Sequence, residues 1–152
     1  LFNSHPFADT ADVVESRKKN IALVEAGSKA DIIPIFAGNL YAAHSRQTMP
    51  EAIAKSLSIA SATDARTVIA DLRGMMTRTS SSALVEVGQV PLLWILGDED
   101  SHINHLEVVK NVALPANAEV SVLNGTGHMG FVEAEEVSAS ILMRFASKLW
   151  AF

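Results

Sequence analysis

No cysteine occurs among the 152 residues, which excludes disulfide bonds and a thiol nucleophile while being compatible with any compartment. A cytoplasmic location is the default expectation. Charge of one sign is also short. Twelve Lys and Arg stand against seventeen Asp and Glu, for a formal net charge of −5, and no extended basic run offers the electrostatic footprint of a nucleic-acid binder. No apolar stretch approaches the roughly 20 residues needed to cross a bilayer. There is neither an internal repeat nor a low-complexity segment. What is present is 49% hydrophobic and 19% charged, the composition of a globular domain. A chain of this length can bury roughly 68–70% of its unfolded surface.

The informative stretch runs from Pro91 to Gly130. PLLWILG (Pro91 to Gly97) reads as a buried strand ending in an acidic loop, DEDSHIN. A short helix over residues 104 to 112 and a connection ending at Pro115 lead to a second strand, AEVSVL (Ala118 to Leu123). That strand ends in a glycine-rich loop with a histidine, NGTGHMG. Continuous apolar runs joined by a helical crossover predict parallel strands covered on both faces. In such sheets the loops at the carboxyl ends of the strands carry the ligand chemistry. Here they hold Asp100 and His128.

Gly97-x-x-Asp100, then Gly127-His128 with Glu133 beyond it, resembles the acid turn and the histidine turn of the α/β-hydrolase fold. In that fold a triad follows the chain order nucleophile, acid, histidine. The resemblance implies that the His128 imidazole takes the nucleophile's proton and later delivers it to the leaving group. It implies that Asp100 fixes the tautomer of that imidazole. Asp98, Glu99 and Asp100 compete for the acid's place, and only Asp100 matches the spacing. Glycines around His128 suit a loop that must approach other backbone closely or adopt positive φ.

The nucleophile is missing. A G-x-S-x-G elbow needs two glycines four apart, and none of the eight glycines (27, 38, 74, 88, 97, 125, 127, 130) has such a partner. The expectation is therefore the C-terminal part of an α/β-hydrolase sheet plus an all-helical cap, starting just after the segment that would carry the elbow.

Taken in order, residues 1–9 read as the end of a sheet strand and its exit loop, residues 10–82 as a helical cap, and residues 83–152 as the C-terminal part of the core. Ser4 and His5 read as structural or pocket-lining. In the cap, Asp9 or Thr10 caps a helix that Gly27 closes, with Arg17, Lys18 and Lys19 on a solvated face. Ser28-x-x-Asp31 resembles a capping box, and Pro34 breaks or kinks the segment that this box starts. A short helix is expected over residues 39 to 46. Pro50 sits at a first helical position, and Asp64 caps one more helix, to about Thr77. Ala83 to Gln89 approaches the Pro91 strand. Glu133 to Trp150 forms a long helix with Val137, Ile141, Leu142, Phe145 and Leu149 as its core stripe.

By the resemblance, the cap roofs the site, excludes water and shapes the substrate pocket. Phe36, Tyr41, Met75 and Met129 are the candidates for substrate binding, with Leu40, Met49 and Met76 also eligible, although such residues at helical spacing also build ordinary core. His44 reads as exposed or at the pocket edge. A rival reading takes Asp98-x-Asp100-x-His102-x-x-His105 as ligands for a divalent metal, but the run crosses from loop to helix and matches no dedicated motif. No metal and no cofactor are expected.

The implied activity is acyl hydrolysis of a small ester or amide, of the esterase or peptidase-like kind, incomplete without the missing half. The alternative is a non-catalytic module that holds a small apolar ligand. The Pro91 strand should expose a long unpaired edge. The expected partner is accordingly the N-terminal portion of the same hydrolase, or a second copy, with no nucleic acid and no membrane.

Overall fold

The computed structural model describes residues 1–150. Its centre is a parallel pair, β1 (Leu92–Gly97) and β2 (Ala118–Leu123), with Leu92 opposite Ala118 and Gly97 opposite Leu123. Side chains alternate across a strand, so β1 feeds two cores. Trp94 and Leu96 pack with Val108 and Val112, joined by Phe7, Val85 and Ile103. Leu93 and Ile95 pack with Leu123, joined by Phe2, Ile141 and Phe145. This is why the run is apolar without alternation: α7 (His105–Asn111) and α6 (Ser82–Val87) cover one face, and α9 (Glu135–Leu149) covers the other. Trp94, Ile95 and Leu96 are fully buried.

The unpaired edge expected on the Pro91 strand is not there. Residues 1–3 lie along it, with Phe2 bridged in parallel to Ile95. The Leu1 amino group donates to Leu93 O (2.7 Å), Ile95 N–H to Leu1 O (2.9 Å), and Asn3 N–H to Ile95 O (2.8 Å). Gly97 N–H then donates to the Asn3 side-chain oxygen (2.8 Å). The side chain of Asn3 thus continues the ladder where its backbone turns away. That turn requires φ of +38°, a region that asparagine tolerates better than most residues.

The cap comprises α1 (Ala11–Glu25), α2 (Lys29–Asn39), α3 (Ser45–Thr48), α4 (Pro50–Ala62) and α5 (Ala65–Thr77), with α1 packed on α5 and α2 on α4. Thr10 caps α1 by accepting from Val13 N–H (3.4 Å), Asp64 caps α5 by accepting from Arg66 N–H (2.8 Å), and Pro50 opens α4. Several expectations need correction. Ser28 makes no side-chain cap, because its ψ of 16° is not the extended conformation a capping side chain needs. Of the break or kink expected at Pro34, the break does not occur, since helix α2 continues through it. The short helix begins at Ser45, not near Asn39. Ala83 to Gln89 is largely helix α6, ended by left-handed Gly88.

The C-terminal helix is two pieces, α8 (Gly130–Glu133) and α9, broken at Ala134. Its buried stripe is also rotated. Ser138, Ile141 and Phe145 face the sheet, while Val137 (55%), Leu142 (48%) and Leu149 (43%) are exposed. Among the described residues no helix is long and apolar enough to cross a membrane.

Candidate active site

The loops that leave β1 and β2 are sewn together by backbone and carboxylate. Asp98 Oδ1 accepts from Gly125 N–H (2.7 Å) and Thr126 N–H (3.3 Å), and Glu99 N–H donates to Thr126 O (2.9 Å). This holds the two turns at a fixed separation. Across it, Asp100 Oδ2 lies 2.9 Å from His128 Nδ1. The other oxygen of Asp100 accepts from His102 N–H (2.8 Å) and Ile103 N–H (2.9 Å). Of the three candidate acids, then, Asp98 ties the loops, Glu99 is exposed, and Asp100 meets the imidazole. Burial pushes the Asp100 carboxyl up, but the hydrogen bonds from His128, Ile103 and His102 outweigh it and hold the group below the ordinary carboxylate range.

The carboxylate is charged at neutral pH, so Nδ1 of His128 is the donor. Nε2 is thereby the ring nitrogen left to take a proton.

Two residues beyond the pair fix the histidine turn. The Asn3 amide donates to Gly127 O (3.1 Å) and His128 O (2.7 Å), linking the turn to the edge of β1. Glu133 accepts from Gly127 N–H through one oxygen (2.9 Å) and from Ala42 N–H, in the cap, through the other (2.8 Å). Met129 N–H to Leu40 O (3.1 Å) and Ser101 Oγ to Asn39 O (3.0 Å) add to this cap-to-loop seam. Gly127 is glycine because the cap's backbone lies against it: a Cβ there would stand 2.6 Å from Ala42 N and 2.9 Å from Leu40 O.

His128 opens on a cleft of about 550 Å³ between loops and cap. Ser4, His5, Arg17, Met75, Arg78 and His102 are among its walls. A cleft of this size suits a small organic ligand. Of the residues expected to bind substrate, Met75 lines the cleft. The Phe36 ring lies 5.5 Å from that of His102, whose ring is in turn 5.5 Å from that of His128. Phe36 also lines a separate apolar cavity of about 370 Å³ within the cap, with Ile32, Ile33, Ile35 and Val68.

Tyr41 is not at the cleft. It is 2% exposed, and its hydroxyl bonds Ser56 Oγ (2.7 Å) and Ala52 O (3.2 Å), tying the cap internally. Met129 contributes its backbone to the seam, and neither it nor Leu40, Met49 or Met76 lines the cleft or the cap cavity. His44 is exposed. Among the described residues no group of three His, Asp or Glu is placed to hold a metal.

Sequence reasoning missed Asn3, the bridging role of Glu133, and an ion-pair cluster in which Asp9 meets Arg17 (2.5 Å) and Arg78 (3.8 Å). Arg17 is therefore not on a solvated face with Lys18 and Lys19, because a buried carboxylate draws it inward.

Neither a family model nor a curated protein matches the sequence. Solved structures do resemble it. An esterase from Thermogutta terrifontis, in its malate-bound form, superposes with a TM-score of 0.85 at 18% identity, over 97% of this chain and 54% of the esterase. A hydrolase from Pseudomonas aeruginosa gives 0.82 at 17% identity, over 96% and 54%. The enol-lactonase of Burkholderia xenovorans gives 0.78 at 14%, over 97% and 55%. The fold is that of the α/β-hydrolases, with a helical cap. The chain spans about half the length of the solved structures it matches.

Proposed function

We propose that the chain is the C-terminal portion of a serine hydrolase of the α/β-hydrolase superfamily, esterase or peptidase-like. In this reading it supplies the acid Asp100, the base His128 and the lid. One observation carries the reading: His128 Nδ1 stands 2.9 Å from a buried carboxylate that two backbone N–H groups anchor, at the carboxyl ends of two parallel strands and on the wall of a cleft. The carboxylate orients the imidazole and stabilises it when protonated, and Nε2 serves as base and then as acid. The attacking serine and the oxyanion donor that follows it come from an N-terminal portion. Residues 1–4 present the sheet edge on which that portion continues. A second copy pairing through the same edge is the competing assembly.

The test joins this chain to a nucleophile-bearing N-terminal half, in one polypeptide or two, and follows hydrolysis of an activated ester. Turnover should appear only in the joined protein. His128→Ala should abolish it, and Asp100→Asn should lower kcat by about 10⁴ through the wrong tautomer. Serine-inhibitor-sensitive turnover by the chain alone would overturn the assignment.

The apolar cavity within the cap favours a second reading, a non-catalytic module for a small apolar ligand. Binding of such a ligand with no turnover in the joined protein would support it.

A further inference from the structure

The cleft beside His128 carries more positive than negative charge, and the surplus is localised. Asp9 is the one acid in its wall, with a side chain only 2% exposed. Both of its oxygens are taken by Arg17, at 2.5 Å from Nε and 3.3 Å from a terminal nitrogen. Arg78 approaches the same carboxylate no closer than 3.8 Å, beyond hydrogen-bond reach, with its side chain 40% exposed. Among the described residues its guanidinium donates to no protein acceptor, its backbone N–H alone bonding Met75 O (3.3 Å). One carboxylate thus faces two guanidiniums, and the fork of Arg78 has its donors free at the cleft wall. Asp100 keeps its own negative charge, but it is not among the residues that line the cleft, and both of its oxygens are held by His128 and by two backbone N–H groups, away from Arg78.

The other basic groups respond to this field. Burial and then Arg78 hold His5 below its ordinary value, with Asp9 opposing. Burial, then His128 and more weakly Arg17, do the same to His102, with Asp100 opposing. Phe7, Val13, Met75 and Ile103 supply the apolar walls between these charges.

Building on the hydrolase reading, we infer that the substrate is a carboxylate-bearing ester, with Arg78 as the residue that binds the carboxylate and Arg17 as its support. A guanidinium fork matches a carboxylate in bidentate geometry. A single surplus positive charge matches a monoanion better than a phosphate, which carries about −1.5 to −2. The apolar walls take the carbon chain between the carboxylate and the ester. The ester carbonyl is thereby presented to the histidine side of the cleft.

The experiment has two arms. In the first, this chain is titrated with monomethyl glutarate and with the neutral ester methyl valerate, following the His102 and His128 ring signals by NMR. A hydrogen bond to a charged group supports a preference of at least about tenfold for the acid. The preference should shrink in high salt, vanish in Arg78→Gln and return in part in Arg78→Lys. Arg78 is exposed and follows the last residue of α5, so these variants keep the fold. Equal binding of the two esters, or a preference that survives Arg78→Gln, overturns the inference.

In the second arm the joined protein hydrolyses mono-4-nitrophenyl glutarate and 4-nitrophenyl valerate. A kcat/KM ratio of about ten or more in favour of the acid, lost in Arg78→Gln, is expected. Absence of turnover on both esters, with the binding preference intact, counts against the hydrolase reading and leaves the anion site standing. Turnover without preference does the reverse.

Discussion

The sheet and the cap are built to different standards. In β1 five of six residues are buried, and its backbone is bonded on both edges. In α4 and α5 no residue is buried, and Ile59 stands 63% exposed. Asp100 and His128 hang from the first region. The cleft walls supplied by Met75 and Arg78 hang from the second, while Arg17 projects from α1, which buries Ile21 and Val24. Few buried contacts imply local opening at low free energy, so the structure separates a fixed carboxylate–imidazole pair from a looser cap. The lesson is one of placement: the geometry that tolerates little error sits on the strand ends, and the opposite cleft wall sits in part on helices that bury little.

The largest expected effect tests the rigid side of that comparison. Trp94→Ala should cost about 3–5 kcal/mol, whereas Ile59→Ala in α4 should stay within about 0.5 kcal/mol. Urea unfolding monitored by circular dichroism measures both. Comparable losses would erase the distinction between the two regions.

A smaller effect probes the seam. Glu133→Gln leaves one of two N–H groups, at Ala42 or Gly127, facing an amide NH2 without an acceptor and the other with a neutral one, and should cost about 1–3 kcal/mol. Amide exchange should rise in residues 40–42 and 125–129 together. A rise confined to one side would show that cap and histidine turn are independent.

The smallest effect is in pH. His5 and His102 have lowered pKa values in the folded state, so the unfolded chain binds more protons and stability falls as pH drops below the ordinary histidine value. Asp100, depressed from 3.8, keeps its contribution above that value and loses it as pH falls through its folded pKa. Unfolding midpoints should therefore decline between pH 7 and 5 and again in strong acid, and His5→Gln should flatten the first step. A profile level down to pH 5 would refute the assigned burial of these rings.

Much of this was legible in the chain. Strand β1 announced itself as an apolar run, Pro50 and Asp64 marked helix starts, and glycine spacing singled out Asp100 and His128, whereas β2 interleaves Glu119 and Ser121 with its apolar residues and leaves Val122 exposed. What stayed hidden depends on partners distant in sequence. Asp9 reaches Arg17 eight residues on and Arg78 much farther, which no local pattern encodes. Asn3 contacts residues more than ninety positions away. Ser138 occupies a buried slot that hydrophobic periodicity assigns to an apolar residue, and this rotated the expected face of α9. Tyr41 was misplaced because an aromatic ring with a hydroxyl fits a pocket and a hydrogen-bonded core equally well.

The two oxygens of Glu133 carry a consequence for timing. One holds the cap at Ala42 and the other holds the histidine turn at Gly127, so one carboxylate bridges cap and turn, beside the bond from Met129 N–H to Leu40 O. Moving the cap off this carboxylate would strip the anion of one of its two backbone partners and loosen the support of the His128 turn together. Under the proposed function, a competent base would then require a seated cap, and proton transfer would be coupled to the closed, water-poor arrangement.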